Sequence, residues 1–553
     1  MTDTLTIALA QLNPTVGDII GNVGLLRRAR ETAAQSGVDL VITSELMVSG
    51  YPPEDLVFRP IVQETVVREI NALAAETGDG GPAILLGAPW LEETKLYNAA
   101  LLLDGGEVAA IQYKYDLPNY GVFDEKRVFH SGPLPGPINF RGIRLGVMVC
   151  EDMWTDEVAE CLEESGAEIL AVLNGSPFQQ DKWDKRLNLA VARVTECRKP
   201  LIYVNQVGGQ DELVFDGASF VLGADAFLRA EAPAWQESVM VTHWSRNGEH
   251  WECAETERHA PPEGDQSIYC ALVLGLRDYV EKSGFPGVII GLSGGIDSAL
   301  TAAVAVDALG PDRVRCLMMP SPYTSRESLD DASEAASLLG VDLGSVSIGP
   351  AMDAFDKMLT ESFAGAEADT TEENIQARSR GLTLMAVSNK TGSMVVSTGN
   401  KSEMSVGYAT LYGDMCGGYS VLKDVYKSKV FELSRWRNLN LPEGCLGPAG
   451  CVVPENVISK PPTAELRHNQ KDEDSLPPYD QLDDMLAGLN EDDMSIDEVV
   501  ERGHDRSLVL RVWRMLLGAE YKRRQAPPGV KITGRSFGRD RRYPIVNAFR
   551  GRE

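Results

Sequence analysis

The sequence is poor in positive charge and in the cysteine spacings that build metal or disulfide frameworks. Its 553 residues carry 81 acidic against 52 basic side chains, a formal net charge of −29. A nucleic-acid-binding protein needs a positive surface that displaces counterions from phosphates, so this charge argues against a nucleic-acid partner. The nine cysteines form no C-x-x-C pair, which argues against a zinc site or a disulfide framework and predicts reduced thiols in a cytoplasmic protein.

Long apolar runs are also absent. No run reaches the roughly 20 residues that a membrane-spanning helix needs, so we expect no membrane partner. Residues 1–10 carry no basic lead before an apolar stretch, and we expect no signal peptide. The 43% apolar content is ordinary for a globular protein, but 553 residues are too many for one hydrophobic core. Two large domains are the simplest division.

Short apolar runs alternate with helical stretches along the chain, a rhythm typical of α/β folds. The polar, proline-containing stretch 259–266 predicts a linker between domains 1–258 and 267–553. Thr370 and Glu373 have capping-box spacing and predict the start of a helix that ends near Asn389. A further helix is predicted from near Ser328, and 467–478 predicts a mobile loop. The predicted strands are 40–42, 83–86, 145–149, 169–173, 314–319 and 394–397.

One glycine-rich loop restricts the chemistry most. Residues 291–298 read Gly-Leu-Ser-Gly-Gly-Ile-Asp-Ser, between an apolar run that predicts a buried strand and a helix-like stretch. Such a turn points backbone N–H groups at an anion, so the loop predicts a phosphate site. An acid beside phosphate makes sense mainly through a metal ion. The candidate phosphate-site residues are Gly291, Ser293, Gly294, Gly295, Asp297 and Ser298.

Two other interpretations of this loop stay open. Gly291 to Gly295 also fits the G-x-S-x-G nucleophile elbow of a hydrolase, and a glycine-rich turn without a ligand is the plainest alternative. No Walker A ending of Gly-Lys-Ser/Thr is present, so the loop is not an ordinary P-loop. Ser-Gly-Gly-x-Asp-Ser resembles the signature of the ATP pyrophosphatase family. That resemblance implies a Rossmann-like domain with a parallel sheet, which cleaves ATP between its α and β phosphates to adenylate a substrate.

Three reactive side chains stand at or near the ends of strand-like runs in the first domain: Glu45, Lys114 and Cys150. Singly they have structural explanations, as a surface acid, a surface base and a small core hydrophobe. A thiol needs a nearby base to attack an amide, and a fixed ammonium stabilises the resulting oxyanion. With their flanks, the three residues resemble the nitrilase superfamily. The resemblance implies an α-β-β-α sandwich, with Glu45 as base, Lys114 as oxyanion stabiliser and Cys150 as nucleophile.

The residues around Tyr120 and Ser176 resemble the glutaminase branch of that superfamily, which supplies ammonia to a synthetase. This implies L-glutamine as substrate, bound by Tyr120, Ser176 and Lys182, with Glu125 as a supporting acid near Cys150. A chain that both releases and uses ammonia predicts an enclosed tunnel between its two active sites, because free ammonia would be protonated and lost in water.

Four segments follow the phosphate loop: Glu-Asn-Ile-Gln-Ala-Arg-Ser-Arg at 373–380, Ser-Thr-Gly-Asn-Lys-Ser-Glu at 397–403, Tyr-Gly-Asp-Met-Cys-Gly-Gly at 412–418 and Lys-Pro-Pro-Thr-Ala-Glu at 460–465. They resemble the NAD synthetase family in its glutamine-dependent form, and the similarity extends over nearly all of both domains. This implies ATP and deamido-NAD as substrates, Mg²⁺ as the metal and a homo-oligomer. The implied contacts are the loop, Thr398 and Thr463 for ATP; Asn374, Arg378, Asp414 and Lys427 for deamido-NAD; and Asp297 and Glu403 for Mg²⁺.

Structural alternatives exist for several of these positions. Arg378 could form a surface ion pair, and Thr463 could belong to a turn before a helix N-cap. His468 departs from the family pattern, where a proline is expected. The basic residues that crowd 522–552 could form a solvated or subunit-contacting tail. The rival functions are the same glutaminase coupled to another adenylated acceptor, such as aspartate or a purine nucleotide, and a non-catalytic dinucleotide sensor.

Overall fold

The structure, a computed structural model, describes residues 3–248, 250–467 and 470–549. The chain divides into two units, Met1–Pro262 and Glu263–Glu553. The second unit opens on a helix that starts at Gly264, so the last three residues of the predicted linker are helical. Asp265 lies in the first turn of that helix, where a carboxylate is favourable. None of the described helices is long and apolar enough to cross a membrane.

The first unit consists of two large sheets covered by helices, and all four strands predicted in it are confirmed. Its helices are α1 (Ile19–Gln35), α2 (Pro60–Glu76), α3 (Glu125–Val128), α4 (Glu157–Glu164) and α5 (Lys182–Cys197). Its strands are β1 (Thr4–Gln11), β2 (Leu40–Ile42), β3 (Ala83–Glu92), β4 (Lys95–Asp104), β5 (Glu107–Tyr113), β6 (Ile138–Phe140), β7 (Ile143–Val149), β8 (Ile169–Asn174), β9 (Leu201–Asn205), β10 (Val207–Gln210), β11 (Leu213–Asp216), β12 (Phe220–Leu222), β13 (Leu228–Glu231), β14 (Ser238–Asn247) and β15 (His250–Cys253).

Alternating side chains build the layers of this unit. One sheet has the order β15-β14-β1-β2-β3-β4-β5 and the other β13-β12-β9-β8-β7-β6. On β1, Ile7 and Leu9 pack in the core shared by the two sheets, whereas Ala8 and Ala10 pack in the core that includes α1 and α2. A third core lies between the second sheet and helices α4 and α5. Burying one Leu or Ile side chain contributes about 1.5–3 kcal/mol. The predicted α-β-β-α sandwich is confirmed.

The second unit is built on a parallel sheet, as predicted. Its strands are β16 (Val288–Gly291), β17 (Val314–Met318), β18 (Asp342–Ser345), β19 (Met394–Ser397) and β20 (Tyr419–Ser420). Its helices are α6 (Gly264–Lys282), α7 (Ile296–Leu309), α8 (Arg326–Leu339), α9 (Gly349–Leu359), α10 (Thr370–Thr391), α11 (Lys401–Val406), α12 (Lys427–Leu439), α13 (Glu455–Ser459), α14 (Tyr479–Asn490), α15 (Ile496–Glu501), α16 (Arg506–Gly518) and α17 (Glu520–Arg523).

The strand order places the glycine-rich loop at the functional edge of this sheet. The order is β18-β17-β16-β19-β20, and all neighbouring pairs are parallel. The chain moves outward in one direction from β16 to β18 and in the other from β19 to β20. Ligands of open α/β sheets bind where the strand order reverses, outside the carboxyl ends of the strands. The loop 291–298 follows β16 at this point.

Two helix starts differ from the sequence predictions. Asp369 is the N-cap of α10, and it forms a capping box with Glu372, one residue before the predicted pair of Thr370 and Glu373. Asp is a better N-cap than Thr, which accounts for the earlier start. The helix ends at Thr391, before Gly392 in the left-handed conformation. Helix α8 begins two residues before Ser328, because Ser325 caps it and accepts a hydrogen bond from the Ser328 N–H.

The segment predicted as a mobile loop, 467–478, is partly anchored. It contains a short 3-10 turn, Asp472–Asp474, in which Asp472 is buried. The hydroxyl groups of Tyr408 and Tyr479 donate to the Asp472 carboxylate at 3.4 and 2.9 Å. These two hydrogen bonds attach the segment to the second unit at Asp472, and its mobility elsewhere stays a prediction. His468, the departure from the family pattern, lies outside the described residues.

The basic C-terminal segment is anchored through a buried lysine. Lys401 Nζ lies 2.8 Å from Asp424 Oδ1 and donates to Thr533 Oγ1 at 2.6 Å. Asp424 Oδ2 accepts hydrogen bonds from the backbone N–H groups of Ile532 and Thr533, both at 2.7 Å. The segment around Thr533 therefore forms part of the interior of the second unit.

Two arginines of the segment are buried as well. Arg523 and Arg541 both pair with Glu520, at 2.8 and 2.9 Å, and all three side chains are almost fully buried. The hypothesis of a solvated tail is wrong for these residues, because both guanidinium groups are buried inside the unit, where they share the Glu520 carboxylate. Arg550 and Arg552 lie outside the described residues.

Candidate functional site

The first unit brings Glu45 and Lys114 into direct contact beside Cys150. Glu45 follows β2 by three residues, and Lys114 and Cys150 come directly after β5 and β7. Lys114 Nζ donates to Glu45 Oε1 at 2.7 Å, and both side chains are fully buried. Cys150 is 3% exposed, and its ionisation is affected by the charges of both residues. The three residues that resemble a nitrilase centre therefore form one cluster.

The predicted supporting acid, Glu125, also belongs to this cluster. Its two carboxylate oxygens each accept a hydrogen bond from Lys114 Nζ at 2.9 Å. The hydroxyl group of Tyr51 donates to Glu125 Oε1 at 2.9 Å. Lys114 therefore bridges two carboxylates, which fixes its ammonium group in position.

Cys150 stands on a strained turn. It begins a single 3-10 turn, Cys150–Met153, and its φ of 48° lies in the left-handed region. Such a conformation costs a non-glycine residue about 1–3 kcal/mol and is typical of functional sites.

Asp152 holds this turn to the chain beside the lysine. Its Oδ2 accepts a hydrogen bond from the Val149 N–H at 2.9 Å, and its Oδ1 accepts one from the Tyr115 N–H at 3.0 Å. Val149 precedes Cys150, and Tyr115 follows Lys114. One buried carboxylate therefore fixes the spacing between the nucleophile and the ammonium group. Nothing in the sequence motif distinguished Asp152 from its neighbours.

The electrostatics of the cluster require a base. Burial raises the pKa of the Cys150 thiol well above its usual range, the Glu45 charge raises it further, and the Lys114 ammonium acts in the opposite direction. Burial lowers the pKa of Lys114, but the charges of Glu125 and Glu45 outweigh burial and hold the pKa well above its usual value. These directions favour a protonated thiol beside a charged ammonium group, so a base is needed before the thiol can attack an amide.

The hydrogen bonds to Glu45 identify the basic oxygen. Oε1 accepts from Lys114 Nζ and from Asn98 Nδ2, both at 2.7 Å. Oε2 accepts from the Gly175 N–H at 2.9 Å. A carboxylate oxygen accepts about two hydrogen bonds. Among the described residues, Oε1 is therefore saturated and Oε2 keeps a lone pair that can take the thiol proton.

The three candidate glutamine-binding residues have different surroundings. Tyr120 is half exposed, and its hydroxyl group donates to Glu151, the residue after the nucleophile, at 3.0 Å. Ser176 is buried, and its hydroxyl group accepts from Arg186 Nε at 3.1 Å. Lys182 begins α5, and its Nζ lies 5.6 Å from the centre of the Phe123 ring.

In the second unit, a cavity of about 290 Å³ lies at the carboxyl edge of the sheet. Gly294 is not among the residues that line it, and its backbone conformation accounts for the glycine at this position. Its φ is +83°, and a Cβ atom there would lie 2.2 Å from the Ser328 carbonyl oxygen. The candidate residues that do line the cavity are Gly291, Ser293, Gly295, Asp297, Ser298, Thr398, Glu403, Asp414, Lys427 and Thr463.

The loop has the form of an anion site. Gly295 is the N-cap of α7, so the unpaired N–H groups of that helix begin at the cavity. The hydroxyl groups of Ser293 and Ser298 lie 3.1 Å apart. Among the described lining residues there is no histidine, so Ser293 lacks the base that a nucleophile elbow requires. The phosphate interpretation fits the geometry better than the elbow.

Two carboxylates converge beside the loop. Lys427 Nζ pairs with Asp297 and lies 3.4 Å from Glu403 Oε1. Asn400 Nδ2 donates to Asp297 Oδ1 at 2.9 Å, which fixes the carboxylate. Burial raises the pKa of Glu403 to about 8, and the Lys427 charge opposes this. The charge state of Glu403 therefore depends on a cation beside it.

The donor set suits Mg²⁺. The described residues contain no group of three or more His, Cys, Asp and Glu side chains that could hold a metal ion. Mg²⁺ is usually bound by one or two carboxylates together with substrate phosphates, rather than by a cage made only of protein. Asp297 and Glu403 supply two oxygen ligands next to an anion-binding loop, so the residues fit the ion.

The comparisons with known proteins cover both units. The family model for carbon–nitrogen hydrolases matches residues 6–248, and that for NAD synthases matches residues 268–526. The glutamine-dependent NAD(+) synthetase of Rhodobacter capsulatus is 48% identical over 550 residues, which is 100% of both chains. The chain belongs to the glutamine-dependent NAD(+) synthetase family. The enzyme of that name from Acinetobacter baylyi is 44% identical over 98% of both chains.

Solved structures of this family agree with the fold. The glutamine-dependent NAD⁺ synthetase of Acinetobacter baumannii, in complex with adenosine diphosphate, is 41% identical, covers 99% of both chains and has a TM-score of 0.78. The enzyme from Cytophaga hutchinsonii shares the fold, with a TM-score of 0.82 at 22% identity over 99% of this chain and 98% of that chain. The resemblance to the glutamine-dependent NAD synthetase family is confirmed.

Within this family framework, the cavity contains residues that the sequence motifs did not identify. Arg380 lines it, and its Nε donates to the Met319 carbonyl oxygen at 3.1 Å. Burial lowers the pKa of Arg380, and the charge of Glu465 opposes this. Glu465 and Asp472 also line the cavity. The available sequence signal for Arg380 is its place two residues after Arg378, in Ala-Arg-Ser-Arg at 377–380.

Two candidate deamido-NAD residues are not among the described residues that line the cavity. Arg378 is exposed, and its Nε donates to the Leu411 carbonyl oxygen at 3.2 Å. Asn374 Oδ1 accepts from the Thr410 hydroxyl group at 2.8 Å. Both residues therefore contact the segment 410–411, which leads to Asp414. The Thr410 N–H in turn donates to Asp414 Oδ1 at 2.7 Å.

Thr463 lines the cavity without capping a helix. Its Oγ1 donates to the Gln470 carbonyl oxygen at 2.7 Å and accepts from the Glu465 N–H at 3.2 Å. The alternative of a turn before a helix N-cap is wrong, because no helix starts in the described residues that follow it directly.

Proposed function

We propose that this chain is a ligase that forms NAD from deamido-NAD, with L-glutamine as the nitrogen donor. The first unit would hydrolyse glutamine to glutamate and ammonia. The second would use ATP to activate the carboxylate of deamido-NAD and release AMP and pyrophosphate. The observation that carries the proposal is that the Cys150 cluster and the loop cavity occur together in a chain that matches the family end to end.

In the first unit, Cys150 Sγ would attack the amide carbon as its proton passes to Glu45 Oε2. Lys114 is fixed by two carboxylates and would stabilise the oxyanion, an effect worth about 10²–10³ in rate for a single donor. Collapse of the intermediate would transfer the proton from Glu45 to the leaving nitrogen and release ammonia. A water deprotonated by Glu45 would then cleave the thioester to glutamate and regenerate the Cys150 thiol.

In the second unit, the N–H groups of the loop and the hydroxyl groups of Ser293 and Ser298 would bind ATP phosphates. Asp297 and Glu403 would hold Mg²⁺, which supplies positive charge to the phosphates when bound. The pyridine carboxylate of deamido-NAD would displace pyrophosphate from the α-phosphate to give an acyl adenylate. Ammonia would then attack the acyl carbon, and AMP would leave. A carboxylate is inert to ammonia until its oxygen is converted into such a leaving group.

The domain and assembly predictions belong to this proposal. Residues 1–258 would carry the glutaminase and residues 267–553 the synthetase, and the two family matches fall inside these ranges. A homo-oligomer and a cytoplasmic location stay predictions, which a solution mass measurement and cell fractionation would test.

The decisive assay supplies ATP, Mg²⁺, glutamine and deamido-NAD and measures NAD, AMP and pyrophosphate, which should appear in equal amounts. Aspartate and purine nucleotides would replace deamido-NAD in parallel reactions. Turnover with one of these acceptors alone would favour the rival synthetase. Dinucleotide binding without turnover would favour the sensor.

Internal transfer of ammonia has its own test. The reaction would be run with ¹⁵N-amide glutamine in the presence of excess ¹⁴N ammonium. Channelled ammonia would place the ¹⁵N label in the NAD amide despite the unlabelled pool. Dilution of the label in proportion to free ammonium would exclude channelling while leaving both partial activities intact.

A further inference from the structure

A buried asparagine connects the two carboxylates of the glutaminase cluster. Asn98 lies on β4 and is 1% exposed. Its Nδ2 donates to Glu45 Oε1 at 2.7 Å and approaches Glu125 Oε2 at 3.4 Å. Lys114 joins the same two carboxylates, so they are bridged twice, once by a cation and once by a neutral amide.

The position of Asn98 on its strand argues against a role in packing alone. Alternate residues of a strand share a face, and Ala100 and Leu102 on the face of Asn98 belong to the apolar core between the two sheets. A buried amide needs hydrogen-bond partners that a leucine of similar volume would not. Among the described residues, Asn98 Oδ1 has no partner, which costs about 1–3 kcal/mol. An unpaired buried group of this kind is typical of functional sites.

The chemistry of an amide suits this place. The amide nitrogen can only donate, so the carboxylate oxygens that it contacts must act as acceptors. It remains neutral and neither gains nor loses a proton when Glu45 takes and returns one. The backbone also ties Asn98 to the centre, because the Lys114 N–H donates to the Asn98 carbonyl oxygen at 2.9 Å.

We infer that Asn98 is a positioning residue of the glutaminase centre, which occupies Glu45 Oε1 and thereby directs the Cys150 proton to Oε2. The inference rests on the proposed glutaminase function. Asn98 acts through Glu45 and makes no contact with the reacting atoms. Without its amide, Oε1 would compete with Oε2 for the proton, and the carboxylate would be free to rotate.

The inference implies a change in pH dependence. Among the described residues, the titratable and charged groups that interact with Glu45 are Lys114, Glu125, Cys150, Tyr51 and Glu151. Burial raises the pKa of Glu125 to about 6, and Lys114 opposes this. A hydrogen bond to a carboxylate stabilises its charged form. Loss of the Asn98 donor should therefore move the acidic limb of the glutaminase profile to higher pH.

The test compares Asn98→Leu with Asn22→Leu. Asn22 is an equally buried asparagine of the same unit, whose amide donates to the Thr15 and Val48 carbonyl oxygens. Asn98→Leu should lower kcat for glutamine hydrolysis by about 10- to 100-fold, part of the ~10²–10⁴ that a general base supplies. KM should change by less than about threefold, and the acidic limb should move to higher pH. Ammonium-dependent NAD synthesis should be unchanged.

Asn22→Leu should lower thermal stability without moving the pH profile. A glutaminase profile and kcat in Asn98→Leu that match the wild type would overturn the inference. The inference would also be overturned if Asn98→Leu and Asn22→Leu lost glutaminase activity to the same extent for the same loss of thermal stability. If Asn98→Leu fails to fold, the test uses Asn98→Ser, which keeps a small hydrogen-bond donor. This variant should show an intermediate shift of the acidic limb. A pH profile without a shift would overturn the inference. Absence of glutamine hydrolysis in the wild type would instead contradict the proposed function.

Discussion

Glu465 Oε1 accepts a hydrogen bond from the hydroxyl group of Ser325, the N-cap residue of helix α8, at 2.7 Å. Ser328 donates to the same oxygen at 2.9 Å. On the other side, Gln376 of α10 donates to the carbonyl oxygen of Leu466 at 2.8 Å. The segment 460–466 is thus attached to two helices while it lines the cavity of the glycine-rich loop.

Replacement of Glu465 by alanine should loosen this segment. A hydrogen bond to a charged group contributes about 1.5–3 kcal/mol. We therefore expect KM for ATP to rise about 3- to 10-fold and trypsin cleavage at Arg467 to accelerate, with glutamine hydrolysis unchanged. Glu473→Ala, at an exposed acid nearby, is the matched control. Equal proteolysis rates in the two variants would show that Glu465 does not hold the segment.

Replacement of Cys150 by alanine should separate the two activities. NAD formation with glutamine should disappear, because the nucleophile is lost, while formation with ammonium should remain within about twofold of the wild type. Cys161→Ala, at another cysteine of the first unit, should retain both activities. Loss of both activities in Cys150→Ala would exclude the proposed division of labour.

Gly294→Ala should inactivate the second unit selectively. The new Cβ would meet the Ser328 carbonyl oxygen at 2.2 Å, and φ of +83° disfavours any side chain. We expect pyrophosphate release to fall at least 100-fold, because the loop would leave its anion-binding form, while glutamine hydrolysis persists. Gly295→Ala is the control, since its Cβ would meet only the Ser293 hydroxyl oxygen at 3.3 Å. Comparable losses in both variants would contradict the steric argument.

Asp424 should make the second unit sensitive to acid. Burial raises the pKa of Asp424, but Lys401 and Lys531 outweigh burial and hold the pKa below its usual value. A lowered pKa stabilises the fold above the unfolded-state pKa of about 3.9, and this stability is lost as pH falls through the folded value. Asp424→Asn should therefore cost about 3–5 kcal/mol at neutral pH.

The difference between Asp424→Asn and the wild type should shrink as the pH falls below about 4, because the carboxylate of the unfolded chain then takes up a proton before the folded one does. Thermal unfolding followed across pH 3 to 7 measures this difference in stability. Asp353→Asn, at an exposed position, is the control. If the difference in stability between Asp424→Asn and the wild type stayed constant over this pH range, the charge of Asp424 would not be the cause of the difference.

The strongest sequence signals were local ones. The continuous apolar runs at 145–149 and 169–173 predict strands, and they form the paired strands β7 and β8 in the interior of their sheet. The loop 291–298 predicts a strand-to-helix turn, and it joins β16 to α7. In these cases local propensity and tertiary packing favour the same structure.

Other features depend on contacts that no local pattern encodes. Asn98 is one amide in an apolar strand, and its role depends on Glu45, which lies 53 residues away. Arg378 and Arg380 lie in one motif, but each helical residue turns the side chain by about 100°, so the two point in different directions. Asp472 lies in a polar stretch that predicts solvent exposure, and only its contacts with Tyr408 and Tyr479 bury it.

The anchoring of the C-terminal segment has a consequence for biosynthesis. Lys401 and its partner Thr533 are 132 residues apart in the chain. While the ribosome is still translating that interval, Lys401 and Asp424 lack the partners that Thr533 and Ile532 provide in the folded unit. The second unit therefore cannot reach its native packing before Thr533 emerges. A nascent chain arrested upstream of this residue would expose a buried charge cluster to chaperones and proteases, whereas the first unit would already be complete.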